Sequence, residues 1–302
     1  MKRIFATLLL SCALAIGANA QILYKISGKG LKKPSYVLGT YHFSKVSFVD
    51  EIPGIRQAMA STDQVYGEID MKLMESPENM AKLQKALMLE DGKKLKDVLS
   101  ADQMTRLNGF MKSLLGVDMS NPLVEQQFGS YSPSGLVTSF SGLIYIKNNP
   151  NDFDPNQSFD GYFQDEARKV GKKVGSLETV DFQINTLING YTMNRSIQLL
   201  MCMVDHPDLC NQQSKDIVKA FYTQNLKAIK EAMDEKANNE CDNLPEEDDR
   251  LINNRNANWL KLLPGIFSGK PTLLVVGCGH LVGEKGILQG LRNLGYQVEG
   301  VK

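Results

Sequence analysis

Two apolar, β-branched runs in this chain end in the same four-residue pattern, Gly-x-x-His. Tyr36-Val37-Leu38 leads into Gly39-Thr40-Tyr41-His42, and Leu273-Leu274-Val275-Val276 leads into Gly277-Cys278-Gly279-His280. The chain has only three histidines, so two of them share one local setting near opposite ends of 302 residues. A glycine where a buried strand ends lets the backbone turn without a Cβ penalty. It delivers the imidazole just beyond the carboxyl edge of the sheet, where α/β proteins place their ligands. Two such imidazoles could meet across that edge and hold one metal ion, provided the first and last strands of the chain meet in space.

The rest of the pattern agrees with one sheet. Short runs rich in β-branched or aromatic residues predict strands at 22–27, 35–41, 64–70, 173–178, 272–278 and 296–301, and several are followed by helix-type sequence. The stretch 77–115 is rich in Met, Leu, Lys and Ala, and Ser100-Ala101-Asp102-Gln103 has the form of a capping box opening a helix at about 101–115. A second helical block runs from roughly 181 to 262, through 185–203, 213–240 and 245–263. The expected fold class is α/β, a mixed, largely parallel sheet with two helical insertions at about 77–145 and 181–262, in one domain over 21–302.

The first twenty residues stand apart from that sheet. Lys2 and Arg3, an apolar core from Ile4 to Ile16, and Ala18-Asn19-Ala20 read as a secretory signal peptide at 1–20, cleaved near Ala20, and predict a periplasmic or secreted protein. No later segment reaches the roughly 18 to 20 apolar residues an integral membrane helix needs. Removing the leader leaves 32 basic against 34 acidic side chains. That balance lacks the basic face a nucleic-acid partner demands. Oxidising export favours a disulfide among Cys202, Cys210 and Cys241. A Cys210–Cys241 bridge is the favoured pairing, with Cys202 able to replace either partner, and Cys278 is expected to stay a free, largely buried thiol.

Glu68 closes the 64–70 strand, with Asp70 two residues on, and Glu178 closes the 173–178 strand. A strand-end glutamate often simply faces solvent and an arginine such as Arg255 often simply pairs with an acid, so each has a plain structural reading beside the chemical one. Asp70 and Asp160 lean toward structural roles, Asp160 as a helix cap in Ser158-Phe159-Asp160-Gly161. His206 reads as part of a helix-terminating loop. The run Glu246-Glu247-Asp248-Asp249 reads as the solvated first turn of a helix. Asp152, Asp154 and Asn156 begin like a calcium loop, but Pro155 and Phe163 occupy places that motif reserves for other residues. Gly277-Cys278-Gly279 with Gly283 has the wrong spacing for a dinucleotide fingerprint, and no G-x-S-x-G elbow is present.

Gly39-Thr40-Tyr41-His42, Glu68 with Asp70, Asp160, Leu177-Glu178-Thr179 with Gln183, Arg255, and Gly277-Cys278-Gly279-His280-Leu281 together resemble the TraB/PrgY/GumN family, whose animal relatives are the TIKI proteases. The resemblance spans nearly the whole mature chain but resides in these short blocks. It implies an α/β fold related to the erythromycin-esterase and ChaN-like proteins and, as in the TIKI branch, a divalent-metal-dependent protease built on the paired histidines and an acidic residue. In that reading His42, His280 and Glu68 are the metal ligands, Glu178 is a ligand or general base, and Arg255 stabilises an oxyanion. The ion would be Zn, Mn or Co, which lowers the pKa of a coordinated water toward neutrality. The expected function is a metal-dependent hydrolase, most simply a peptidase acting on a peptide or protein substrate outside the cytoplasm. The alternative is a non-catalytic protein that binds or sequesters a peptide or haem.

Overall fold

A computed structural model describes residues 21–152, 154 and 157–302. The expected leader at 1–20 lies outside the described residues, as do Pro155 and Asn156. All six strand-like runs form strands: β1 Leu23–Ser27, β2 Ser35–Thr40, β3 Gln64–Gly67, β4 Lys173–Ser176, β5 Thr272–Gly277 and β6 Gln297–Gly300. They make one sheet in the order β4-β3-β5-β2-β1-β6. β4, β3, β5 and β2 are mutually parallel, and β1 runs antiparallel to both β2 and β6.

The central position of β2 and β5 follows from their composition. Every residue of β2 and the first five of β5 are buried, as expected for parallel strands covered on both faces. Alternation along β5 divides the core. Leu273 and Val275 pack with Ile22, Leu38, Phe48, Phe159 and Phe221 on one face, while Leu274 and Val276 pack with Val37, Trp259, Leu263 and Ile287 on the other. In the β2–β5 register Gly39 lies opposite Val276 and Thr40 opposite Gly277, so the two Gly-x-x-His turns leave the sheet side by side.

Helices fill the two long intervals, and the intervals share a core. Leu107, Phe110 and Met111 of the helix Ala101–Leu115, Leu136 and Phe140 of Pro133–Asn148, and Leu200, Met201 and Val204 of Met193–Asp205 form one cluster. The capping box is present: Gln103 N donates to Ser100 Oγ and Ser100 N to Gln103 Oε1, at 3.2 and 2.9 Å. Gly116 ends that helix at φ 79°, a left-handed cap that glycine adopts without a Cβ penalty. No helix among the described residues is long and apolar enough to cross a membrane.

Two expectations need correction. The disulfide joins Cys202 to Cys241, with a Cα–Cα distance of 5.5 Å, and Cys210 is a free, half-buried thiol. The chain restarts a helix at Pro207, which turns Cys210 against the helical cluster instead. Nor is the acidic run wholly solvated. Glu247 is 4% exposed and takes two hydrogen bonds from Arg195, 2.8 and 2.9 Å, and one from Leu244 N. The calcium-like start is also accounted for otherwise, because Asp152 accepts from the hydroxyls of Tyr222 and Tyr145.

Candidate active site

Four strand ends assemble one cluster. His42 follows β2, Glu68 follows β3, Glu178 follows β4, and His280 closes the 3-10 turn Cys278–His280 after β5. Beyond the sheet, Leu177 N and Glu178 N both donate to Glu68 O, which holds the two glutamate segments together. Arg255 enters from the helix Asn254–Gly269, directly after the π-helical turn Asp249–Asn253. Such widened turns recur at functional positions because they re-aim the side chains that follow.

Arg255 is 3% exposed and organises the floor of the site. Its Nε and Nη2 donate to the two oxygens of Glu178 at 2.8 and 2.9 Å, and Nη2 also reaches Glu68 Oε2 at 2.6 Å. Gln183 donates to the same Glu68 oxygen, Gly277 N donates to Glu68 Oε1 at 2.8 Å, and Trp259 Nε1 donates to Glu178 Oε1 at 3.0 Å. Burial alone would raise the Glu68 pKa. His280, Arg255, His42 and the Gly277 amide outweigh it and bring the carboxyl down to about 2, so Glu68 is ionised at neutral pH.

His280 is fixed in one tautomer by its neighbours. Nη1 of Arg255 stands 3.0 Å from His280 Nε2, and a guanidinium can only donate, so Nε2 accepts and Nδ1 carries the proton. That proton goes to Asn256 Oδ1 at 2.7 Å, and Asn256 Nδ2 donates to the carbonyls of His280 and Lys285, which orients the amide. Burial, aided by Arg255 and His42 and opposed by Glu68, depresses His280 to about 4 and keeps it neutral. The Trp259 ring lies 4.4 Å from the imidazole, centroid to centroid.

His42 has the opposite electrostatics. Its Nδ1 is 2.7 Å from Asp160 Oδ2, and Asp160 Oδ1 accepts from Thr40 Oγ1 at 2.6 Å. Asp160 raises the His42 pKa to about 9 against the cost of desolvation. The ring is nonetheless 61% exposed toward the cavity, so solvent moderates that attraction. Asp160 is thus part of the site. The cap of its helix, Phe159–Lys169, is Ser158, whose Oγ accepts from Gly161 N.

The two motifs converge over Gly277. A Cβ built there would lie 3.3 Å from Glu68 Oε1, 3.7 Å from His280 Cδ2 and 3.9 Å from His42 Nε2. The space between the two imidazoles and Glu68 exists because residue 277 has no side chain. It opens into a cavity of about 510 Å³.

The TraB/PrgY/gumN family model matches residues 22–300. This chain belongs to that family. Relatives include metalloprotease TIKI2 of Danio rerio, 23% identical over 310 residues, covering 88% of this chain and 58% of that protein. Metalloprotease TIKI2 of Xenopus tropicalis is 22% identical, covering 88% and 57%, and metalloprotease TIKI1 of Homo sapiens is 25% identical, covering 88% and 59%. The chain therefore spans less than two thirds of the length of these relatives. No solved structure matches it.

In this family member the donor set accommodates a divalent cation in part as it stands. His42 Nε2 is left out of the hydrogen bond that orients the ring, and a carboxylate on the far nitrogen is the usual support of a ligating imidazole. With its pKa raised to about 9 the ring is protonated at neutral pH, so Nε2 becomes a ligand only by giving up its proton to the solvent as the ion binds. Glu68 Oε1 keeps a lone pair beyond its bond to Gly277. His280 Nε2 is 3.9 Å from Glu68 Oε1 but is taken by Arg255, so a third donor becomes available only when Nη1 withdraws. Among the described residues no three His, Cys, Asp or Glu side chains already stand at metal-ligand spacing. Cys278 packs into the apolar core with Leu38, Phe221 and Val275, and burial there pushes its thiol up to about 12.

All five residues expected at the site, His42, Glu68, Glu178, Arg255 and His280, are brought together. Asp70 is elsewhere, capping the helix Met71–Met74 and pairing with Arg168, and His206 lies between two helices of the second insertion. Sequence reasoning missed Thr40, Asn256 and Trp259, and it assigned Asp160 to a cap. The signal was present in Arg255-Asn256-Ala257-Asn258-Trp259, where Trp259 follows Arg255 by one helical turn.

Proposed function

We propose that this chain is a metal-dependent peptidase that acts outside the cytoplasm, with His42, Glu68 and His280 holding a divalent ion such as zinc, manganese or cobalt. The observation that carries the reading is the convergence of the two imidazoles and Glu68 over the missing side chain of Gly277. The naming of the three relatives as metalloproteases supports it. So does the export-type reading of residues 1–20. A bound ion supplies Lewis acidity and a water of lowered pKa.

The protein's own groups have distinct parts. Asp160 and Thr40 hold the His42 ring in place. Arg255 supplies the fixed positive charge beside which an oxyanion can develop. Glu178 positions Arg255 in the resting arrangement, where both of its oxygens are engaged. For His280 to join the ligands, Nη1 of Arg255 must first leave His280 Nε2; a guanidinium displaced in that way would be free to face a developing oxyanion, and a Glu178 oxygen released with it could take a proton.

A second reading is favoured by the same saturation. With both glutamates and His280 already satisfied inside the protein, the floor suits a module that captures a peptide without turnover. One experiment separates the two. The exported chain, stripped of metal, is incubated with a peptide library with and without zinc, manganese or cobalt, and the products are read by mass spectrometry. New termini that appear with an ion and vanish with chelator support hydrolysis; binding without new termini under every ion supports capture.

A further inference from the structure

The cavity over Gly277 has two unlike walls. The charged cluster forms one, and Met71, Met74, Leu187, Ile217, Met233 and Ile252 form the other. These six apolar side chains come from five separate elements: the helices Met71–Met74, Val180–Leu187, Pro207–Tyr222 and Leu226–Asp234, and the π turn Asp249–Asn253. They converge on open space instead of closing on one another. Leu187 is 42% exposed and the other five are only partly buried.

Gly279 ties that wall to the chemistry. A Cβ there would meet Met233 Cε at 3.0 Å and Sδ at 3.1 Å, so the glycine lets Met233 lie directly against the turn that carries His280. The two glycines of Gly277-Cys278-Gly279 therefore do different work: the first keeps the charged floor open, and the second seats an apolar side chain beside it. Three of the six wall residues are methionines, unbranched and polarisable, which conform to guests of varied shape.

We infer that this wall is a side-chain subsite, and that the substrate is a polypeptide presenting a large apolar residue such as leucine, methionine or phenylalanine next to the bond held over Gly277. The inference deepens the peptidase reading and rests on it for the words next to the bond. The wall contributes no charged group, so an aspartate entering it loses its hydration without a partner, whereas a leucine loses contact only with water.

The chain's single tryptophan, Trp259, sits against His280 and provides a readout independent of turnover. The probes are acetyl-Gly-Gly-Leu-Gly-Gly-amide and the same peptide with aspartate at the centre. Binding is followed by Trp259 fluorescence, and cleavage is followed separately on the same pair. Half-saturation by the leucine peptide is expected at a concentration at least about tenfold lower. Met74→Lys should remove most of that preference and Met74→Leu should keep it, with both variants checked for an unchanged melting transition. Equal binding of the two peptides, or a preference untouched by Met74→Lys in a folded variant, overturns the subsite. A leucine preference in binding without cleavage of either peptide supports the subsite and overturns the peptidase reading.

Discussion

Arg255 Nη2 lies 2.6 Å from Glu68 Oε2, with both side chains less than a tenth exposed. The same guanidinium also holds Glu178, so one buried positive charge answers two carboxylates. The floor of the site, with His280 neutral, carries a net negative charge that an incoming cation can offset.

Removing the guanidinium while keeping a polar side chain exposes that imbalance. Arg255→Gln should cost about 3 to 5 kcal/mol of metal-free stability, the penalty for leaving buried carboxylates unpaired. Added zinc should recover part of the loss by taking the place of the missing charge. Urea unfolding with and without zinc measures both effects; a loss below about 1 kcal/mol would mean that the pairs contribute little.

The two histidines should give the metal-free protein opposing pH limbs. His42 is raised from 6.5 to about 9, so its native contacts stabilise fully below pH 6.5 and that contribution is lost as pH climbs through 9. His280 is lowered from 6.5 to about 4, so the unfolded chain binds a proton that the native chain refuses, and stability drops as pH falls from 6.5 toward 4. Thermal melts in chelator should peak near pH 6.5. Asp160→Asn should flatten the alkaline limb alone, and salt should weaken that limb first because His42 is exposed. An alkaline limb unchanged in Asp160→Asn would assign it to other groups.

The disulfide spans a sequence separation of 39 residues and should stabilise the oxidised chain by on the order of 3 to 4 kcal/mol. Peptide mapping without reduction should recover Cys202 linked to Cys241, with Cys210 alkylated before Cys278. A linked Cys210 would contradict the described pairing.

The sheet was legible in the sequence because its strands are short apolar runs bounded by glycine or polar residues, and those runs are governed by local pattern. The convergence of His42, Glu68, Glu178 and His280 was legible for the same reason, since each sits where a parallel strand ends. What escaped depends on contacts between distant segments. Asp160 lies 118 residues from His42 and looks locally like any acid in a first helical turn. The spacing along the chain favours Cys210 as the partner of Cys241, and only the turn at Pro207 sets Cys202 to face it instead. The burial of Glu247 follows from Arg195, 52 residues away, and nothing in the acidic run announces it.

The central claim is that an ion occupies the space Gly277 leaves open, and Gly277→Ala tests it most directly. The backbone at 277, with φ −52° and ψ 135°, accepts alanine, so the fold should survive while the new methyl group crowds Glu68 Oε1 at 3.3 Å. Zinc titration calorimetry on the metal-free chain should give one ion per wild-type molecule and an affinity about 10- to 100-fold weaker in Gly277→Ala, at an unchanged unfolding midpoint. Equal affinity in the two proteins, or no zinc bound by a wild-type chain that still cleaves peptides, would contradict the account.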